Sequence, residues 1–102
     1  MTLPVIFAPK AVAWIRRETA YLRSERSSEA ARRFRDHIQA IRLLLSEHPR
    51  AGGPGLIPGT RRFAKGDYIV SYRLRTSRDA ITAVEVFAVR HGRQSDAREP
   101  RG

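Results

Sequence analysis

The residues best suited to chemistry in this sequence are basic residues of its second half. Guanidinium and ammonium groups can stabilise a charged phosphate, and the candidates for that role are Arg61, Arg62, Lys65, Arg73, Arg90 and Arg93. Cleavage of an RNA phosphodiester without a metal also needs one group that removes a proton and one that supplies a proton. His91 is the only candidate for proton transfer beside these residues, so the sequence offers the charge for cleavage and little of the acid–base chemistry.

His91 also has a purely structural interpretation. The pair His91-Gly92 follows an apolar stretch and can simply end a strand, because glycine tolerates a positive φ. The other two histidines, His37 and His48, share no local spacing of metal ligands with it. The chain contains no cysteine, which excludes disulfides and thiolate metal sites. We therefore expect neither a metal site nor any other cofactor.

The net charge restricts the class of partner. The 102 residues include 20 Lys and Arg against 10 Asp and Glu, which gives a formal net charge of +10. Such an excess indicates an acidic partner, either a nucleic acid or an acidic protein surface. Nearly all of the basic residues are arginines, whose planar fork suits phosphate and carboxylate. A GC-rich genome also favours arginine over lysine, but it does not explain the net charge.

The sequence predicts a protein of the bacterial cytoplasm with no membrane contact. The opening residues 1–7 lack the basic flank and the long apolar stretch of a signal peptide. No apolar run approaches the roughly 18 residues that span a membrane.

Apolar periodicity predicts one domain over residues 1–102 that begins with a strand and two helices. Residues 3–8 are short, apolar and β-prone, and Pro9 suits the first turn of a helix over residues 9–24. The hydroxyl of Ser27 can cap a second helix, Ser28–Glu47. Because the link between the helices is short, they must pack as an antiparallel hairpin.

The second half of the chain alternates as a β meander after a connector at residues 51–59. Strands are predicted at residues 60–64, 68–75 and 81–89, and the last of these is apolar on both faces, which places it centrally. The resulting order is βααβββ, an α+β fold in which the helical hairpin packs on a small, mainly antiparallel sheet. The polar residues 95–102 are expected to form a frayed tail.

Pairing of the first two strands of the meander would bring arginines together. Arg61 or Arg62 would then share a face of the sheet with Arg73. Like charges side by side destabilise a sheet unless an anion or a carboxylate lies between them. The arginines are therefore either a site for an acidic group of a partner or a solvated face.

Trp14 and Tyr21 lie one heptad apart in the first predicted helix. Either both pack on the sheet as core residues, or both border a groove that takes the apolar face of a partner helix. Both are therefore candidate binding residues. An exposed edge strand of the sheet would offer a second mode of binding, the addition of a partner's strand.

Several segments resemble the ParE branch of the ParE/RelE toxin superfamily. They correspond to its opening strand and proline-started helix, its second-helix opening, its helix exit, its central hairpin and its common ending. In this chain they are residues 5–11, 28–34, 48–52, 58–63 with 68–73, and 89–94. Their joint order along nearly the whole chain carries the resemblance.

The resemblance implies the toxin of a type II toxin–antitoxin module, wrapped by a helix and an extended tail of a ParD-like antitoxin. ParE toxins are associated with inhibition of DNA gyrase, whereas RelE relatives cut messenger RNA on the ribosome. In the first case no residue is catalytic, and the candidates for binding target or antitoxin are Arg61, Arg62, Arg73, Arg90, His91, Arg93, Trp14 and Tyr21.

The alternative of a RelE-like ribonuclease would use a subset of the same residues as its site, namely Arg61, Arg62, Arg73, Arg90 and His91. Because these arginines lack a convincing acid–base companion, the sequence favours inhibition by protein binding. A third class, a plain basic nucleic-acid-binding module, is less well supported, since the chain shows no recognition helix and no aromatic platform for RNA.

Overall fold

A computed structural model describes residues 2–92 of the chain. The first helix, α1 (Pro9–Glu25), begins with the predicted proline in its first turn. The second helix, α2 (Ser28–Glu47), is capped by Ser27, whose side chain accepts a hydrogen bond of 2.9 Å from the backbone N–H of Ala30. The two helices form the predicted hairpin because only two residues separate them.

Five strands form one sheet in the order β1-β5-β4-β3-β2. The first strand pairs parallel with the last, and every other pairing is antiparallel. Their bounds are β1 (Val5–Phe7), β2 (Gly53–Pro54), β3 (Thr60–Lys65), β4 (Tyr68–Ser77) and β5 (Ala80–His91). The predicted α+β fold is confirmed, and strand β5 lies between β1 and β4 as its apolar faces indicated.

The structure adds one strand to the predicted order. Strand β2 lies within residues 51–59, where the sequence predicted only a connector, and pairs with β3 at the edge of the sheet. The hairpin between β4 and β5 is also tighter than predicted, because only Arg78 and Asp79 remain outside the strands. Both have positive φ, 51° and 67°, as the two central residues of a two-residue turn require. The predicted frayed tail lies outside the described residues.

The core lies between the helical hairpin and one face of the sheet. Its larger cluster joins Ile41 and Leu45 of α2 to valines of β4 and β5. A smaller cluster at the other end of the hairpin contains Leu22, Phe34 and Tyr68. Because successive side chains of a strand point to opposite faces, every second residue of β4 points away from the helices.

Tyr72 of β4 ties the end of α2 to the sheet. Its side chain is fully buried, and its hydroxyl donates to the carbonyl of Pro49 and accepts from the N–H of Gly52, both at 2.9 Å. Residue 52 must be glycine here, because a Cβ would collide with the carbonyl oxygen of Arg62. The hydroxyl thus fixes the segment that delivers β2 to the sheet edge.

The Tyr72→Phe variant should lower the free energy of unfolding by about 1–3 kcal/mol, because two buried backbone groups lose their partner. Urea unfolding followed by the fluorescence of the single tryptophan measures this loss. Tyr21→Phe is the matched control, since Tyr21 is 55 % exposed and its hydroxyl should contribute little. Equal stability of the two variants would contradict the role given to Tyr72.

Candidate partner-binding site

The face of the sheet opposite the helices carries most of the arginines that the sequence singled out. Arg62 pairs with Ser71, and Arg73 lies two residues further along β4, between Thr60 on β3 and Glu85 on β5. Residues directly opposite one another in a sheet share a face, as do residues two apart on one strand. We call this surface the arginine face and define it by Arg62, Arg73, Arg75 and Arg90.

Arg73 and Arg75 enclose one carboxylate. The Nε of Arg73 lies 3.6 Å from Glu85 Oε1, and an Nη of Arg75 lies 3.0 Å from Glu85 Oε2. The two arginine side chains remain 38 % and 53 % exposed, so the ion pairs contribute little to stability. One carboxylate therefore faces two guanidinium groups, and the surface keeps a surplus of positive charge.

Arg73 also stacks on an aromatic ring. Its guanidinium carbon lies 4.7 Å from the centroid of Phe87, a cation–π distance, and the Phe87 side chain is only 6 % exposed. The ring holds the guanidinium plane in place, so that its remaining N–H groups have a fixed direction. An arginine positioned in this way is suited to bind a carboxylate or phosphate with two hydrogen bonds.

The structure separates the predicted basic residues into two groups. Arg62, Arg73 and Arg90 lie on the arginine face, although Arg90 is buried there. Arg61 pairs with Tyr72 and so lies on the helix-covered face. Its Nη2 donates to the carbonyl oxygens of Arg50 at 3.0 Å and Gly52 at 2.7 Å, so Arg61 holds the connection after α2.

His91 ends β5 on the helix-covered side of the sheet. It pairs with Tyr68, and the centroids of the two rings are 5.1 Å apart in an edge-on arrangement. His91 also lines a polar pocket of about 160 Å³ together with His37 of α2. This neighbour could not be predicted from the sequence, because the spacing of residues 37 and 91 along the chain says nothing about their proximity. Arg93 lies outside the described residues.

Trp14 and Tyr21 do not share an environment. Trp14 is half-buried and makes edge contacts with Phe34 and Tyr68, at 6.1 Å between ring centroids in each case. Tyr21, two turns later on α1, is exposed. A shallow groove lined by Ile15, Thr19 and arginines of both helices lies on the hairpin. Neither Trp14 nor Tyr21 lines this groove.

The sequence analysis did not single out Arg75 of the arginine face, nor the two residues of β5 that contact this face, Glu85 and Phe87. Both lie in a strand whose alternation is interrupted, because the pairing of β4 with β5 shifts register between Ser71 and Tyr72. Such a bulge changes which residues share a face. The strand's hydrophobic composition does not show where the bulge falls.

Within residues 2–92, no group of three or more His, Cys, Asp or Glu side chains could hold a metal ion. The described part of the chain also contains no helix that is long and apolar enough to cross a membrane.

Comparison with known proteins agrees with the fold and the segments described above. The family model described as the ParE toxin of the type II toxin–antitoxin system parDE matches residues 5–96. The chain therefore belongs to the ParE toxin family of type II toxin–antitoxin systems. Comparison with curated proteins gives no match.

Two solved structures share the fold. The chromosomal ParDE toxin–antitoxin system from P. aeruginosa superposes with a TM-score of 0.71 at 15 % identity, over 88 % of this chain and 96 % of that chain. The toxin–antitoxin complex RelBE2 from Mycobacterium tuberculosis superposes with a TM-score of 0.61 at 26 % identity, over 89 % of this chain and 99 % of that chain. Both the ParE and the RelE branches thus have relatives of this shape.

Tyr68, which lines the pocket, should make the stability of the protein depend on pH under alkaline conditions. Burial of the phenol, its 2.9 Å hydrogen bond to Glu18 and the negative charge of that carboxylate all raise the pKa of Tyr68 above its usual value. A raised pKa in the folded state means that Tyr68 ionises more easily in the unfolded chain. The stabilisation that the neutral Tyr68 phenol provides is therefore complete below about pH 10, the ordinary pKa of tyrosine. It is lost as the pH rises further.

The free energy of unfolding of the native protein should accordingly fall more steeply above pH 10 than that of Tyr68→Phe. Urea unfolding at several pH values between neutral and strongly alkaline conditions measures both slopes. Parallel slopes for the two proteins would show that Tyr68 does not ionise preferentially in the unfolded chain.

Proposed function

We propose that this chain acts in the bacterial cytoplasm as a toxin that inhibits DNA gyrase by binding it, and that a ParD-like antitoxin neutralises it. Membership of the ParE family supports the toxin role and the antitoxin partner. The gyrase target follows from the association of ParE toxins with that enzyme. The alternative is cleavage of messenger RNA on the ribosome, as RelE relatives perform.

The separation of the basic residues is the observation that favours binding over cleavage. A ribonuclease needs its acid, its base and its phosphate-stabilising groups around one scissile bond. His91 lies on the helix-covered side of the sheet, whereas Arg62 and Arg73 lie on the arginine face. Arg61 is also on the helix-covered side, where it donates to backbone carbonyls. These residues do not converge on one substrate.

The arginine face supplies what a binding surface for an acidic protein needs. Arg73 is held by Phe87 and shares its carboxylate partner with Arg75, so an incoming carboxylate meets guanidinium groups that are already positioned. Arginines of this kind contribute disproportionately to protein interfaces. The net charge of +10 speeds the approach of an acidic partner.

The antitoxin can use two further features of the fold. Most of strand β3 has a partner on one side only, because β2 pairs with it at just two positions. An extended antitoxin tail could continue the sheet along that edge. The groove on the helical hairpin that Ile15 and Thr19 line would take the apolar face of an antitoxin helix.

Purified toxin should inhibit the supercoiling of relaxed plasmid by gyrase, and added antitoxin should restore it. Arg73→Gln should require about tenfold more toxin for the same inhibition, because a charge-assisted hydrogen bond contributes about 1.5–3 kcal/mol. Arg78→Gln is the matched control, since it removes an equal charge from the exposed turn between β4 and β5.

Full supercoiling at saturating toxin would contradict gyrase as the target. If the toxin also cuts transcripts in a ribosome-dependent manner, RelE-like cleavage of messenger RNA replaces gyrase inhibition as the proposed function. If the folded Arg73→Gln and Arg78→Gln variants inhibit gyrase equally, the arginine face does not bind gyrase.

A further inference from the structure

The polar pocket beside His91 contains a second set of basic groups, separate from the arginine face. It opens between the end of α1, the start of α2 and the turn that joins β3 to β4. The side chains on which its chemistry depends are Arg26, Arg33, His37, Asp67, Tyr68 and His91. None of its basic groups belongs to the surface proposed above for gyrase.

The charges around this pocket favour an anion. Arg26 and Arg33 face one acidic lining residue, Asp67, so the lining is positive before either imidazole is protonated. Glu18, the next carboxylate nearby, accepts a hydrogen bond from the Tyr68 hydroxyl and is engaged there. The excess positive charge of the whole chain adds to the attraction.

Three basic side chains of the pocket, those of Arg26, Arg33 and His37, can donate to a ligand. Among residues 2–92, neither the guanidinium of Arg26 nor the imidazole of His37 forms a hydrogen bond or an ion pair within the chain. Arg33 pairs only at 3.6 Å with Glu29, and both side chains are about two-thirds exposed, at 68 % and 66 %. Such an exposed pair is weak, and Arg33 can turn toward a bound anion at little cost.

The position of His37 is fixed by the turn at its side. Gly66 has a φ of +60°, and a Cβ built on it would lie 2.9 Å from Cε1 of His37. The imidazole therefore packs directly on the backbone of the turn, next to Asp67 and Tyr68. This contact limits the movement of the His37 imidazole at the pocket wall.

We propose that this pocket binds a phosphate group. A guanidinium binds the oxygens of phosphate with two parallel hydrogen bonds, and the imidazole of His37 can donate to another oxygen. The volume of about 160 Å³ is several times the roughly 30 Å³ of one water molecule, so a phosphate fits. The phosphate belongs either to a free nucleotide or to the backbone of a nucleic acid, and the site is independent of the proposed toxin target.

The test is an NMR titration of the full chain that follows the imidazole Cε1 protons of His37 and His91. Inorganic phosphate should shift both signals with saturation, at a constant ionic strength maintained with chloride. Arg33→Gln should weaken this binding about tenfold, because it removes one charge-assisted interaction. Arg32→Gln is the matched control: Arg32 is the preceding residue of α2, is equally charged and exposed, and does not line the pocket.

Adenosine 5′-monophosphate and a short single-stranded thymidine oligonucleotide distinguish the two sources of phosphate. Binding of the monophosphate alone assigns the site to free nucleotides, and binding of the oligonucleotide assigns it to a nucleic-acid backbone. The proposal is overturned if the shifts of the His37 and His91 signals do not saturate with phosphate, or if acetate produces the same saturation. It is also overturned if the Arg33→Gln and Arg32→Gln variants bind phosphate equally. These results do not depend on whether the chain inhibits gyrase.

Discussion

The fold depends on the enclosure of strand β5. Both of its edges are hydrogen-bonded, to β1 on one side and to β4 on the other, so its backbone has no exposed edge over the paired residues. Val84, Val86 and Val89 turn toward the helices and form the centre of the core. The helical hairpin covers this face because its own apolar stripe has no other place to be buried.

This enclosure determines where the basic residues can lie. The arginines of β4 that point away from the helices lie together on one face, with Glu85 and Phe87 as their neighbours. Neighbouring like charges cost stability in a sheet, and one carboxylate offsets only part of that cost. A surface that retains such a charge excess is better explained by an acidic partner than by the needs of folding.

Much of the architecture could be predicted from the sequence, because long amphipathic helices and alternating strands leave clear periodic patterns. The strand Gly53–Pro54 could not, since its two residues have no β propensity of their own and pair only because β3 lies beside them. The adjacent pair Arg61-Arg62 does not show which arginine faces the helices, because a shift of one residue in register exchanges the faces on which the two side chains lie. The proximity of His37 to His91 likewise depends on how α2 packs on the sheet.

As a member of the ParE toxin family, this chain is proposed to be a toxin that a protein partner holds inactive. Growth of a bacterial culture in which the chain is induced alone, or together with a ParD-like antitoxin, tests this proposal most directly. Growth should stop when the chain is induced alone and continue normally when both proteins are made. Unchanged growth while the folded chain accumulates alone would contradict it.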